Sequence, residues 1–332
     1  MYELLGISLV LASLLAINAL ASVAAAACWR FIEKPLQTRS ARTRTEILFL
    51  MRVGPPALAL ISIALFLVPS YVVYEPYETE IVSKKLAALA ILSAIGVTLA
   101  LWRGARSWFA TRSLLREWLS NAIQIKFGGT TIPTFRIANS FPIIAVVGTF
   151  RPRLFIAERV LETLSQEELA AAIAHEGGHL SAHDNFRRSL LRACFDVMIV
   201  PCGRSLDRAW AEAAECAADE HAAQQNAETA LNLASALVKI AKMVPVGARA
   251  AVPMAAFLVG IEETRGVKAR VRSLLEIASD GCPRRAPNPT LARILPAASL
   301  GLLLTLAVAV ASKPQVLVTV HSMIERAVAF LS

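Results

Sequence analysis

The sequence predicts a membrane α-helical protein, with about four transmembrane helices, that carries an α+β domain. Three observations predict it. First, 56% of the 332 residues are hydrophobic and the mean hydropathy is +0.54, against ~45–50% apolar residues in ordinary soluble domains. Second, the excess is gathered into long runs near both ends of the chain, as membrane spans are and a single core is not. Third, the stretch between those runs holds short β-rich segments and then Ala-rich segments of helical period.

Four segments are apolar enough to cross a bilayer: residues 5–28, 53–74, 86–102 and 294–311. A span needs ~20 mostly apolar residues, and the third is the shortest. The first begins "MYELLG", with Glu3 and no basic residue. A secretory signal wants a positive start, so this segment, up to "AAAAC" at Cys28, is expected to stay as an anchor rather than to be cleaved or lipidated. Basic residues set the orientation. Arg30, Lys34, Arg39, Arg42, Arg44 and Arg52 follow the first span, and Arg103, Arg106, Arg112 and Arg116 follow the third. Both clusters belong on the cytoplasmic side, which puts the short loop "EPYETE" outside. The expected layout is an N-terminal membrane region with three helices (1–102), a cytoplasmic domain (103–290), and a C-terminal span with a short extracytoplasmic tail (291–332). The tail "KPQVLVTVHSMIERAVAFLS" reads as an amphipathic helix lying on the membrane. The apolar stretch at 189–203 is short and interrupted by Arg192 and Asp196, so it reads as a buried or membrane-grazing helix.

The net charge is +9. Most basic residues flank apolar runs, so they serve orientation and no nucleic-acid partner is expected; the lipid bilayer is. Cys28, Cys194, Cys202, Cys216 and Cys282 are odd in number and form no CxxC pair, which argues against a disulfide framework and a cysteine zinc site. Ionisable residues are nearly absent from the spans, which disfavours a transporter.

Within the cytoplasmic domain "SLLREWLS" reads as a short helix. "IQIKF", "IPTFRIA", "IIAVV" and "RLFIA" follow as strands separated by Gly and Asn breaks. Ser165, with Glu168 three residues on, then reads as an N-cap with a capping box. The helix that follows, "QEELAAAIAHEGGHLSAH", is rich in Ala, Leu and Glu. Gly177 and Gly178 each cost it ~1 kcal/mol relative to Ala, which makes sense if another part of the fold packs against the backbone there. Beyond Pro201 come "LDRAWAEAAECAADEHAAQQ", "AETALNLASALVKIAKM" and "VKARVRSLLEIA", all with helical period.

The motif helix carries the chemistry. His175 and His179 lie four apart and therefore on one face, where two imidazoles can aim at one cation. Glu176 sits about 100° round the helix, so it can reach a water there without being a ligand. This is an HExxH arrangement of two ligands and a general base. A catalytic zinc usually takes a third protein ligand. In "ECAAD", Glu215 is the best third ligand, and Asp219, also four apart from it, could accept a hydrogen bond from a histidine's far nitrogen. Glu212 and His221 are rivals on the same helix. His183 is about 12 Å along the axis from His175, too far to share one ion on a straight helix. Asp184 and Asn185 suit a helix end, with Asp184 free to pair with Arg187 or Arg188.

The run "FPIIAVVGTFRPRLFIAERVLETLSQEELAAAIAHEGGHLSAHDN" resembles the membrane-embedded gluzincin metallopeptidases. Gly148, Phe150, Arg151 and Pro152 before HExxH, and Asp184 after it, are similar to the BlaR/MecR-type antirepressor peptidases. The HExxH and ExxxD motifs are similar to the HtpX and CAAX-prenyl-protease types. The resemblance covers about residues 132–222 and continues weakly through "ARVRSLLE". It implies a zincin-like metalloprotease domain facing the cytoplasm from a bacterial-type inner membrane. One Zn2+ per chain would be held by His175, His179 and Glu215, with Glu176 as base and then acid and Asp219 holding His175. The implied activity is endoproteolysis of a cytosolic or membrane protein in regulatory signalling, with a membrane sensor partner. Broad quality control of membrane proteins is the second reading, and a non-catalytic receptor or scaffold is the third. Gly177 stands where these families usually carry a bulky apolar residue. No SxxK acylation motif occurs and no sensor domain is expected after the fourth span, so β-lactam sensing is not implied.

Overall fold

A computed structural model describes residues 2–75, 82–127, 132–139, 141–197, 203–224, 226–244, 264–280 and 301–331. Three helical rods dominate. Helix α1 spans Tyr2–Gln37. Helix α2 (Ala41–Ser62) continues through a π-helical turn (Ile63–Leu67) into α3 (Val68–Tyr74), and α4 spans Lys84–Ser120. Each of the three is long and apolar enough to cross a membrane. Their outward faces are apolar, as at Leu20 (73% exposed) and Leu101 (70%), which suits contact with lipid rather than water.

The rods are longer than the predicted spans because the helices run on through their basic ends, in α1 even past Pro35 in its last turn. Residues 103–120 are one case. They were expected to hold a separate short helix, but they continue α4 without interruption, and a Cβ at Gly104 would meet no atom within 4 Å. The π turn has a local cause. Pro69 has no N–H to donate and its ring crowds the carbonyl four residues back. The turn widens just before it, and Val68 N–H reaches Ile63 O, five residues back.

The expected fourth span lies partly outside the described residues, which resume at Gly301. Helix α11 (Gly301–Ala311) is followed, after an 81° bend, by α12 (Pro314–Leu331). Among the described residues, the helices long and apolar enough to cross a membrane therefore number three, or up to four if the bent pair is one span. Helix α12 packs on α3, the π turn and α4. Ile324 sits among Leu5, Leu9, Leu67, Tyr71 and Leu86, and Ser70 donates to Leu317 O at 2.8 Å.

All four predicted strands form: β1 (Ile123–Ile125), β2 (Thr134–Ile137), β3 (Ile144–Val147) and β4 (Arg153–Ala157). The sheet order is β1-β2-β4-β3. β2 and β4 are parallel, with Phe135 opposite Phe155, and the other two pairs are antiparallel. Gly148 closes the β3–β4 turn at φ +104, and a Cβ there would stand 2.8 Å from Arg151 O. Only glycine takes that backbone without strain.

Helix α5 (Glu158–Thr163) leads into α6 (Gln166–Ser181), α7 (Asp184–Val197), α8 (Arg204–Ala223), α9 (Ala227–Met243) and α10 (Thr264–Asp280). The main core joins the sheet to α6, α9 and α10 through Phe155, Ala172, Leu233, Leu237 and Leu274. The lower end of α4 also reaches it, where Trp118 meets Phe155 edge-on at 5.1 Å. A second core ties the membrane rods to the domain: Trp29, Leu36 and Leu48 pack with Leu191, Leu206 and Trp210. Residues 189–197 of the apolar stretch belong to α7, whose Leu191 and Cys194 are buried. Residues 198–202 lie outside the described residues.

Candidate metal centre

The capping box predicted for α6 is present. Ser165 Oγ accepts from Glu168 N–H at 3.2 Å, and Glu168 Oε2 accepts from Ser165 N–H at 2.8 Å. Glu168 also accepts from Ser235 at 2.6 Å and from Lys239 at 2.8 Å, so the cap anchors α6 to α9 as well as starting it. From that start α6 runs under β3 and presents His175, Glu176 and His179, all buried.

Helix α8 supplies the other half. A Cβ on Gly178 would stand 2.9 Å from Ala218 Cα and 3.2 Å from His221 Cβ. The glycine therefore lets α6 and α8 approach to backbone contact. A Cβ on Gly177 would meet no atom within 4 Å, so the packing reason for glycine holds at 178 and not at 177.

Across this contact, His175, His179 and Glu215 each offer a ligand atom, all within 4.8 Å of one another. The Nε2 atoms of His175 and His179 each lie 3.7 Å from a Glu215 oxygen, too long for a hydrogen bond. Both Nε2 atoms are buried without a hydrogen-bond partner among the described residues. Buried polar atoms are normally satisfied, so two converging bare nitrogens beside a carboxylate fit a divalent cation of the zinc class.

The far nitrogens are held. His179 Nδ1 is 2.7 Å from Asp184 Oδ2. His175 Nδ1 is 2.9 Å from Asp219 Oδ1, close though not in the line of a straight hydrogen bond. Such partners set the tautomer that leaves Nε2 free for a metal. Asp184 thus faces His179 and not Arg187 or Arg188. The reason is local: α6 ends at Ser181, and His183 takes φ 56, a left-handed turn that folds Asp184 back over His179.

Two arginines complete the shell, and neither was anticipated. Arg270 on α10 grips Asp219 with two bonds of 2.7 and 2.8 Å and lies 3.1 Å from Glu215 Oε2. Arg188 on α7 donates to Glu215 Oε1 at 2.9 Å. A carboxylate oxygen has two lone pairs, so these contacts and a cation can share Glu215. The sequence signal for Arg270 was its place in "ARVRSLLE", where the resemblance continued weakly. Glu212 and His221 are not part of the trio, and His183 points to solvent.

The electrostatics divide the acids by role. Burial pushes the Glu176 carboxyl up to about 7, against the pull of His179 and of the Val146 N–H. Burial works against ionisation of Glu215 too, yet His179, Arg270 and Arg188 hold it well below the usual carboxylate range. Burial would likewise lower His179, but the Glu215 charge and Asp184 outweigh it and raise it to about 10. In His175 burial prevails over Asp219, and its affinity for a proton falls.

Glu176 Oε2 accepts from Val146 N–H at 3.1 Å, and Oε1 is buried with no hydrogen bond among the described residues. A substrate strand could add to this sheet only along an unpaired edge. RLFIA (β4) is paired on both sides and is excluded. β3 is one edge of the sheet, opposite the edge formed by β1, but it is buried throughout. Its outward groups at Val146 are taken by Glu176 and by Asn185, which donates to Val146 O at 2.9 Å.

The family model for peptidase family M48 matches residues 138–207. That stretch runs from the end of β2 to the first turn of α8 and includes His175, Glu176, His179 and Asp184; Glu215, Asp219 and Arg270 lie beyond it. The match supports an M48-family metallopeptidase. A search of curated proteins found no match.

Proposed function

We propose that the chain is a membrane-anchored, zinc-dependent endopeptidase. Its peptidase helices would face the cytoplasm and hydrolyse peptide bonds of a cytosolic or membrane protein in regulatory signalling. The observation that carries this reading is the convergence of two bare, buried imidazole nitrogens on Glu215 beside a buried carboxylate outside the trio. His175, His179 and Glu215 would hold the ion. When bound, Zn2+ supplies a Lewis acid that polarises a carbonyl and makes water acidic near neutral pH.

The remaining chemistry belongs to the chain. Glu176 has one oxygen anchored and the other available, and a carboxyl poised near neutrality suits a group that takes a proton from water and returns it to a leaving amine. Asp184 and Asp219 orient the imidazoles, and Arg188 and Arg270 hold Glu215 ionised and in place. A substrate strand added along β3 would compete for the Val146 N–H. Docking would then release Glu176 from that bond as the scissile peptide arrives.

Two measurements test this. Bound zinc in detergent-purified protein is expected to fall by one per chain in Glu215→Ala and to stay unchanged in Glu176→Gln. In native membranes, Glu176→Gln is expected to retain a small set of uncleaved proteins that the parent fragments. A broad population of trapped membrane proteins would favour quality control over signalling. Unchanged zinc in Glu215→Ala, or identical fragment patterns for parent and Glu176→Gln, would overturn the peptidase reading.

A further inference from the structure

We propose that the cavity between α4, α7 and α8 binds the phosphate headgroup of an anionic membrane lipid. The cavity measures about 760 Å³, within the ~300–1,000 Å³ range of small-molecule sites. Its walls come from residues 100–107 of α4, 188–193 of α7 and 204–211 of α8. None of His175, Glu176, His179 or Glu215 lines it, so it is a place distinct from the metal centre.

Two buried donors on its wall point to a ligand. Trp210 is 2% exposed, yet its Nε1–H has no hydrogen-bond partner among the described residues. Buried donors are normally satisfied, and leaving one unmade is costly. Arg188 lies over the Trp210 ring, 5.9 Å from its centroid. Its Nη2 donates to Glu215, but its Nε–H is buried and also has no partner among the described residues. An indole N–H and a guanidinium N–H on one wall call for an acceptor, and a guanidinium favours a phosphate oxygen. Charge points the same way. Arg103, Arg192, Arg204 and Arg208 line the cavity, while the acid on its wall, Asp207, is held by Arg52 at 2.8 Å. Arg103, Arg192 and Arg204 have contacts of their own, so their part is to raise the local positive potential. Trp210 and Arg188 supply the bonds.

The level of the cavity along α4 favours a lipid as the source of that phosphate. On the same turns of α4, Trp102, Trp108 and Phe109 are 54%, 53% and 62% exposed. Arg106 lies over Trp102 at 5.5 Å and Arg112 over Trp108 at 5.3 Å. Exposed aromatics beside arginines mark the headgroup level of a bilayer, and basic pockets beside membrane helices recognise anionic headgroups. Gly104 forms part of the α4 wall; it is exposed, and a Cβ there would meet no atom within 4 Å, which leaves room for entry at that level. Ala100, Leu191 and Ala193 make the lining partly apolar, which suits the glycerol end of a lipid and not a bare phosphate. A phosphate on Arg188 Nε would also steady the guanidinium that grips Glu215. That link to the metal centre rests on the peptidase reading; the site itself does not.

The test uses the full chain, delipidated in dodecyl maltoside and titrated with phosphatidylglycerol, phosphatidylcholine or inorganic phosphate, with bound probe read by native mass spectrometry. The parent is expected to hold phosphatidylglycerol more tightly than either other probe. Trp210→Phe removes the indole N–H and keeps a ring, and is expected to weaken phosphatidylglycerol about ten-fold. Gly104→Leu fills the cavity without touching a donor, and is expected to abolish the tight binding with unchanged far-UV circular dichroism. The assay needs neither bound metal nor activity, so this inference and the peptidase reading fail separately. Equal phosphatidylglycerol binding in parent, Trp210→Phe and Gly104→Leu would overturn the site. Equal affinity of the parent for phosphatidylcholine would overturn its preference for an anion, and equal affinity for inorganic phosphate would overturn the lipid as its source.

Discussion

Asp184 and Asp219 perform one task from two directions. Each holds the far nitrogen of an imidazole whose other nitrogen faces Glu215. Removing such a partner typically costs 10–100-fold in metal affinity. Asp184→Ala is therefore expected to weaken zinc binding by about that factor in competition with a chromophoric chelator, with the helical content intact. Glu168 works at the other end of α6. Burial opposes its charge, but the bonds from Lys239, Ser235 and the Ser165 N–H prevail and hold its carboxyl below the usual value of 4.5. A depressed folded pKa contributes stability above pH 4.5 that is lost as pH falls through the folded value. Glu168→Gln is thus expected to be less stable than the parent by about 1–3 kcal/mol at neutral pH. Thermal melts across pH should show the gap closing as acidity increases below 4.5. Among the residues, the i, i+4 spacings of His175 with His179 and of Glu215 with Asp219 were legible, because one helix face needs no tertiary information. The contact from His179 to Asp184 was not, because it depends on the left-handed turn at His183. Arg270 was not legible either, since it reaches Asp219 from a helix 51 residues on.

Helix contact governs the next scale. The ligand atoms come from α6 and α8, so the distance between those helices sets the distance between ligands. Gly178→Ala would drive a methyl into the Ala218 backbone and force the pair apart, at a cost of about 1–3 kcal/mol and with weaker zinc binding. Gly177→Ala meets open space and gains helix propensity of about 1 kcal/mol. The two variants are expected to move the melting temperature in opposite directions, and equal shifts would contradict the contact described here. At this scale the four strands and the capped motif helix were readable from alternation and turn residues. Which strand forms the edge was not, because β2 pairs with β4 across the whole of β3 and short-range patterns carry no record of such pairing. The separate helix expected at 113–120 failed for the opposite reason: polarity changes there, but no breaker interrupts α4.

The molecule as a whole is joined through charge as well as grease. Arg52, in the second membrane rod, is 2% exposed and donates to Asp207 on α8 at 2.8 Å. Burial raises the Asp207 carboxyl against the pull of Arg52, so the bond is made at some expense. Removing one partner of a buried ion pair costs ~3–5 kcal/mol. Asp207→Ala is expected near the low end, about 3 kcal/mol, because Asp207 keeps 30% of its side chain in solvent. Loss of thermal stability in detergent checks it. Composition made the membrane rods legible, yet it offered no sign that Arg52, read as an orienting charge, is instead a buried joint.

Trp29, Leu36 and Leu48 from the rods and Leu191, Leu206 and Trp210 from the domain share one core. This governs what can be cut away. A fragment begun after the third span would shed half of that core and leave the surface around Leu191, Leu206 and Trp210 bare, with Asp207 no longer opposite Arg52. Such a piece would be sticky rather than soluble. The half of this chain that carries the candidate metal centre is therefore packed as one body with the apolar rods, and a recombinant preparation is expected to need those helices.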